Sequence, residues 1–338
     1  MYQSAKLIRV SAKKIKSILT YTIFIGLGAG LLYLAFRETE WDKLLADMRE
    51  ANLSFLALSL LLGFYAYVAR GLRWNLMLKV MGHPPKRTWS TIHSIALGYF
   101  SNLAIPRSGE VFRCTAMYRA ESVPVDRLLG TVLLERLVDL FMLILVFALG
   151  FITNFSNMQR LLKDVESGSM QFPGWIIPAG IALLGLGLLI LRLMRNHPFF
   201  LKVRTFIIGM LEGLRAFQKL NTKQRFIFIV HTIQIWLMYF LMVYVVFFAL
   251  PATQHLGISD GLFLMVVGGL GMVIPTPGGV GSYHFLVMTG LFFLGVEKTD
   301  GLSFATVVHG TQLVMTIVAG IVGFIFLARV QNRSIDNG

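Results

Sequence analysis

Glu135, Arg136 and Asp139 sit near the middle of an apolar stretch, residues 125–150. A single charge at the centre of a membrane-spanning helix costs roughly 2.5–3.5 kcal/mol on insertion scales. Three of them demand either mutual neutralisation or a polar cavity. Glu135 and Asp139, four apart, share a helix face, and Arg136 and Asp139, three apart, are within pairing reach. Two readings stand side by side. One is an ion-pair cluster that ties this helix to Arg107, Arg113 or another hairpin. The other is the polar lining of a path for a charged substrate.

Two further segments carry chemistry beside a chain break. In Asn102–Arg113 (NLAIPRSGEVFR), Arg107, Glu110 and Arg113 flank Pro106 and Gly109. A helix restarting there exposes free N–H groups, which with two guanidiniums suit a phosphate; a plain tight turn is the alternative. In Pro275–His284 (PTPGGVGSYH), Gly278, Gly279 and Gly281 allow close backbone approach. Such a run can form an anion nest or can serve tight helix packing. It lacks the Lys-Ser/Thr of a nucleotide loop. His284 beside it is either titratable near neutral pH or a packing residue. Neither a metal-ligand spacing nor a Ser/His/Asp set appears, Cys114 is the sole cysteine, and no cofactor is expected.

The elements that must hold these residues are membrane elements. Of 338 residues 56% are hydrophobic and 14% charged, with a mean hydropathy of +0.69. Soluble domains carry about 25% charge, so an ordinary cytosolic enzyme is excluded. Basic residues outnumber acidic ones 31 to 17, but they lie in short segments between apolar runs. That pattern indicates anionic lipid headgroups and topology signals, not nucleic acid.

A spanning helix needs about 20 apolar residues. Six runs meet that measure: 18–36, 53–69, 128–152, 173–191, 226–250 and 301–328. The first ends in Arg37-Glu38 without a cleavage signal and reads as a retained anchor. Three runs, 91–105, 259–274 and 282–296, are too short, and each abuts a Pro/Gly cluster. The expected fold is therefore an all-α polytopic membrane protein. It is one integral-membrane domain over 1–338, with about six spans and two re-entrant hairpins, 91–122 and 259–297, entering from opposite sides. A basic N-terminus (1–17) and a tail (329–338) then lie in the cytoplasm, where 24 basic residues face five acidic ones, against six and ten outside. Stretches 38–52 and 198–220 mix charged and apolar residues at helical spacing: the second reads as a surface helix, the first either as a surface helix or as a plain connecting helix.

NLAIPRSGEVFR, then Leu134–Leu140 (LERLVDL), then Pro277–Gly281 (PGGVG), in that order and in short broken apolar segments, resemble the lysylphosphatidylglycerol synthase transmembrane domain family, also described as flippase-like. The resemblance covers roughly 15–330. It implies a membrane domain that moves a phospholipid or lipid-linked substrate across the bacterial cytoplasmic (inner) membrane. The chain ends ten residues after Ala328, so a stand-alone domain without the synthase is expected, and lipid synthesis by this chain is not. Ser282-Tyr283-His284 stands where the family often has a carboxylate. The expected partners are membrane phospholipids with anionic headgroups and a separately encoded lipid or glycan transferase. On this reading Arg107, Arg113 and Arg136 face a headgroup phosphate, while Glu110, Glu135 and Asp139 balance them or contact an amine. Gly278, Gly279, Gly281 and His284 complete the expected substrate site. The alternative is a non-transporting membrane partner, or an embedded subunit of a lipid- or glycan-modifying enzyme.

Overall fold

A computed structural model describes residues 22–153 and 220–336, and among them there are ten α-helices and no strands. They are α1 (Thr22–Phe36), α2 (Trp41–Glu50), α3 (Leu53–Val80), α4 (Thr88–Ala104), α5 (Gly109–Glu121) and α6 (Val125–Thr153). After the undescribed segment come α7 (Thr222–Tyr244), α8 (Ile258–Val273), α9 (Ser282–Phe293) and α10 (Lys298–Asp336). The expected span 173–191 and nearly all of the surface stretch 198–220 lie outside the described residues.

Local sequence sets the helix starts. The Asn52 side chain accepts from Ser54 N at 3.0 Å ahead of α3. Asn221 and Gln224 exchange side-chain and backbone bonds, both 2.9 Å, to open α7, and such caps contribute about 1 kcal/mol each. Among the described residues three stretches, Leu53–Val80, Thr222–Ala249 and Lys298–Asn332, are long and apolar enough to cross a membrane. The outer faces of α6 and α10 expose Phe141, Ile144 and Phe147, and Val314, Val318, Ile321 and Ile325. Contiguous exposed apolar bands of this kind mark a face that meets lipid.

The short runs become short helices. α4 has 17 residues, α5 has 13, α8 has 16 and α9 has 12. At about 1.5 Å per residue each is shorter than a hydrocarbon core of about 30 Å. They pair as two helical hairpins, α4–α5 and α8–α9. In the first, glycines let the backbones touch: a methyl on Gly98 would lie 2.8 Å from the Gly109 carbonyl oxygen. Turn residues Arg107 of the first hairpin and Gly278 of the second then meet the opposite unit. Arg107 Nη2 donates to Val273 O at 2.6 Å, and Gly278 lies over Leu103.

Two elements differ from the expectation in length. The helix expected to stop at residue 69 runs to Val80, because apolar spacing resumes with Trp74, Met77 and Leu78, all buried. Likewise α10 continues to Asp336 through most of the stretch read as a tail. The 38–52 stretch contains α2, with Leu44 buried and Trp41, Leu45 and Met48 exposed. One apolar core joins α3, α4, α5 and α6 through Trp74, Ile95, Met117 and Leu128. A second joins α7, α8, α9 and α10 through residues such as Val243, Leu264, Val287 and Phe304.

Candidate functional site

Between the α3–α6 core and α7 lies a layer of buried charge. Helical periodicity puts Arg70, Arg73 and Trp74 on one side of α3, facing Glu135 and Asp139 of α6. Asp139 accepts from two arginines at once: Arg70 Nη2 at 2.6 Å on Oδ2 and Arg73 Nη2 at 3.0 Å on Oδ1. Arg70 Nε also donates to Tyr239 Oη at 2.8 Å. Its guanidinium carbon lies 5.9 Å and 5.8 Å from the ring centres of Tyr99 and Tyr239. Arg73 Nη1 reaches Thr232 Oγ1 at 3.2 Å.

The second pair is Arg113 to Glu135, 2.7 Å, with the Arg113 guanidinium 4.9 Å above the Trp74 ring. Trp74 is fixed in turn by its Nε1 donating to Thr131 Oγ1 at 2.7 Å. Among the described residues, three arginines and two carboxylates from α3, α5 and α6 thus share one buried layer with a formal charge of +1. Arg73 Nε, Arg113 Nε and Glu135 Oε1 are buried without a hydrogen-bond partner among the described residues. Unmade bonds to buried charged groups cost several kcal/mol if nothing ever fills them.

The other expected site residues separate from this layer. Arg136 points outward and pairs with Glu110 at 3.2 Å, their side chains 44% and 34% exposed. The Arg136–Asp139 contact that the spacing allowed is not made, because Asp139 faces α3. Arg107 takes a left-handed conformation, φ 61°, and spends its guanidinium on Val273 O. The N–H of Gly109, expected to be free at the α5 start, is taken by Asn102 Oδ1 at 2.7 Å.

The glycine turn is filled from within. Gly279 N and Val280 N donate to Thr276 O and Pro277 O. Gly281, at φ 85°, sits against the Gly28 carbonyl of α1, so closely that a methyl there would clash. His284 is buried on α9, its ring centre 4.9 Å from that of His309, whose Nε2 donates to Gly278 O at 2.9 Å. The turn is therefore a packed junction of α1, α4, α9 and α10.

Arg70, Arg73, Tyr99 and Tyr239 were not among the expected site residues. Arg70 and Arg73 count, in the charge census, as loop residues beyond a span ending at 69. The signal that places them inside is the aromatic and aliphatic spacing that continues past them, Trp74–Leu76–Met77–Leu78. With Arg113 they leave the cytoplasmic tally, which falls from 24 to 21 and keeps its sign.

The model of a protein family described as "Lysylphosphatidylglycerol synthase TM region" matches residues 18–320. No curated protein and no solved structure matches the chain.

Proposed function

Starting from a chain that belongs to the family of the lysylphosphatidylglycerol synthase TM region, a multi-pass membrane domain linked to lipid metabolism or transport, we propose that it moves a phospholipid or lipid-linked substrate across the bacterial cytoplasmic membrane. One observation carries this reading. Among the described residues the buried layer holds one more cation than anion, and it keeps guanidinium N–H groups unpartnered between helices whose outer faces are apolar. An anionic headgroup supplies the missing charge and acceptors.

In this mechanism the two short hairpins enter from opposite sides and meet at their tips, so that each closes the path on one side. Arg136 and Glu110, paired on the lipid-facing side of α5 and α6, meet the headgroup first, the guanidinium on phosphate and the carboxylate on any amine. Arg113, with Arg70 and Arg73, receives the phosphate as the helices part, while Glu135 and Asp139 keep the vacated arginines neutralised. Arg107 and the Gly278–Gly281 turn, with His284 packed behind it, act as the junction about which the tips move. N- and C-termini lie in the cytoplasm, and a separately encoded lipid or glycan transferase supplies the cargo.

The test uses purified protein in liposomes, with loss of a labelled phospholipid headgroup from one leaflet as the readout and headgroups of different charge compared. Translocation well above empty liposomes, reduced at least tenfold by Arg136→Ala, supports the proposal. Wild type no faster than empty liposomes for every headgroup overturns it and favours the non-transporting partner.

A further inference from the structure

A second feature lies at the far end of the molecule from the α10 C-terminus. The end of α1, one face of α9 and the first turn of α10 line a half-open cavity of about 160 Å³. Leu34, Phe285, Met288 and Phe292 form its apolar walls, and Arg37, Glu38 and Lys298 stand at its rim. The rim charges are linked: Arg37 Nη2 to Glu38 Oε1 is 2.9 Å and Lys298 Nζ to Glu38 Oε2 is 3.1 Å. All three side chains are about half exposed, at 50%, 55% and 54%. Lys298 Nζ also lies 5.8 Å from the centre of the Phe292 ring, which joins rim to wall.

We propose that this cavity is a phospholipid site, with the first methylenes of an acyl chain against Phe285, Met288 and Phe292, the rest of the chain in the bilayer, and the phosphodiester between Arg37 and Lys298. Two cations and one anion give the rim a charge of +1, which matches the single negative charge of a phosphodiester. The cations reach a phosphate without leaving a buried charge behind, because Glu38 is open to water. An aqueous anion would use the rim but not the four apolar walls. A soluble apolar ligand would use the walls but gain nothing from three charges at their mouth. A bilayer lipid uses both, and α2 fixes the site at the bilayer surface by presenting Trp41, stacked 5.4 Å from Phe36, beside it. This deepens the transport reading and takes from it only the substrate class: the cavity is where a lipid is held at the surface opposite the α10 C-terminus.

A photo-crosslinking residue in place of Phe292 tests it, in full-length protein reconstituted in vesicles of phosphatidylethanolamine and phosphatidylglycerol. Phe324 on α10, exposed and outside the cavity, is the control position. Irradiation is expected to give a phospholipid adduct at position 292, its mass identifying the headgroup. Arg37→Gln with Lys298→Gln is expected to lower that yield about tenfold and leave the yield at 324 unchanged, since each basic side chain near a phosphate contributes a several-fold preference. Both side chains are exposed, so their replacement leaves the fold intact. Equal adduct yield at 292 with and without the two charges, or labelling at 292 no stronger than at 324, overturns the proposal and leaves only annular lipid. Charge-dependent adducts in a protein that translocates no headgroup would sink the transport reading while this site stands.

Discussion

Asp139 holds two guanidiniums with one carboxylate, and neither arginine has water to fall back on. Asp139→Asn is therefore expected to lower stability by about 3–5 kcal/mol, the cost of stranding a buried charge. The melting temperature in detergent reads this directly. Replacing Asp139 and Arg70 together by apolar residues of similar size should recover part of the loss, since the desolvation of both is then avoided. Arg136→Ala should behave in the opposite way: the Arg136–Glu110 pair is half exposed, and such pairs contribute about 0–1 kcal/mol. A melting temperature close to wild type with translocation lost would separate a substrate role from a structural one. Glu135 and Arg136 are neighbours in sequence, yet only Arg136 permits that clean test, because Glu135 is the buried partner of Arg113. The sequence showed that the Glu135–Asp139 charges needed partners, and it named Arg113 among them. It could not show that Asp139 turns to α3, because that depends on the rotation of α6 about its axis.

At the scale of elements, α2 is clamped to the start of α10. Lys43 bridges Glu297 and Asp300, both at 2.8 Å, and Ser303 donates to Asp47 at 2.6 Å. Hydrogen bonds that its ammonium donates to Asp300 and Glu297 raise Lys43 well above the ordinary lysine range. Its contribution is thus fully present below the ordinary lysine pKa of about 10.4 and is lost only as pH rises through the higher folded value. The hydrogen bond from Lys298 lowers Glu38, so that link is present above the ordinary glutamate pKa of about 4.3 and fails only at more acid pH. Spin labels on α2 and α10 should keep one separation from pH 5 to pH 9, and Lys43→Met should broaden it at every pH in that window. The short helices were legible from the Pro/Gly breaks in their apolar runs. The length of α3 was not, because Arg70 and Arg73 look like the end of a span when their partners, 60 and more residues away, are unseen.

For the whole molecule, α10 is the ruler. Its 39 residues extend about 58 Å at 1.5 Å per residue, more than the full thickness of a bilayer of about 40–45 Å. Glu38 is tied to the beginning of this helix and Asn332 lies near its end, so the two mark opposite surfaces. With Cys114, the sole cysteine, replaced by Ala, single cysteines at Thr39 and Asn332 should be labelled by an impermeant maleimide from opposite sides of sealed spheroplasts. Labelling of Thr39 from outside and of Asn332 only after lysis supports the cytoplasmic C-terminus; the reverse result inverts the orientation, and labelling of both from one side refutes the span. The loop charges point to the same orientation as this labelling would test, and losing three arginines to the interior leaves their bias in place.

The bond between the hairpin tips is unequal in what each side supplies. Arg107 contributes a side chain, and the other hairpin contributes only the backbone oxygen of Val273. Every amino acid carries that oxygen, whereas no other side chain matches the reach and donor fork of arginine. A saturation screen should therefore find position 273 open to many apolar replacements and position 107 intolerant even of lysine. Across the same contact, one hairpin can drift in sequence while the other cannot.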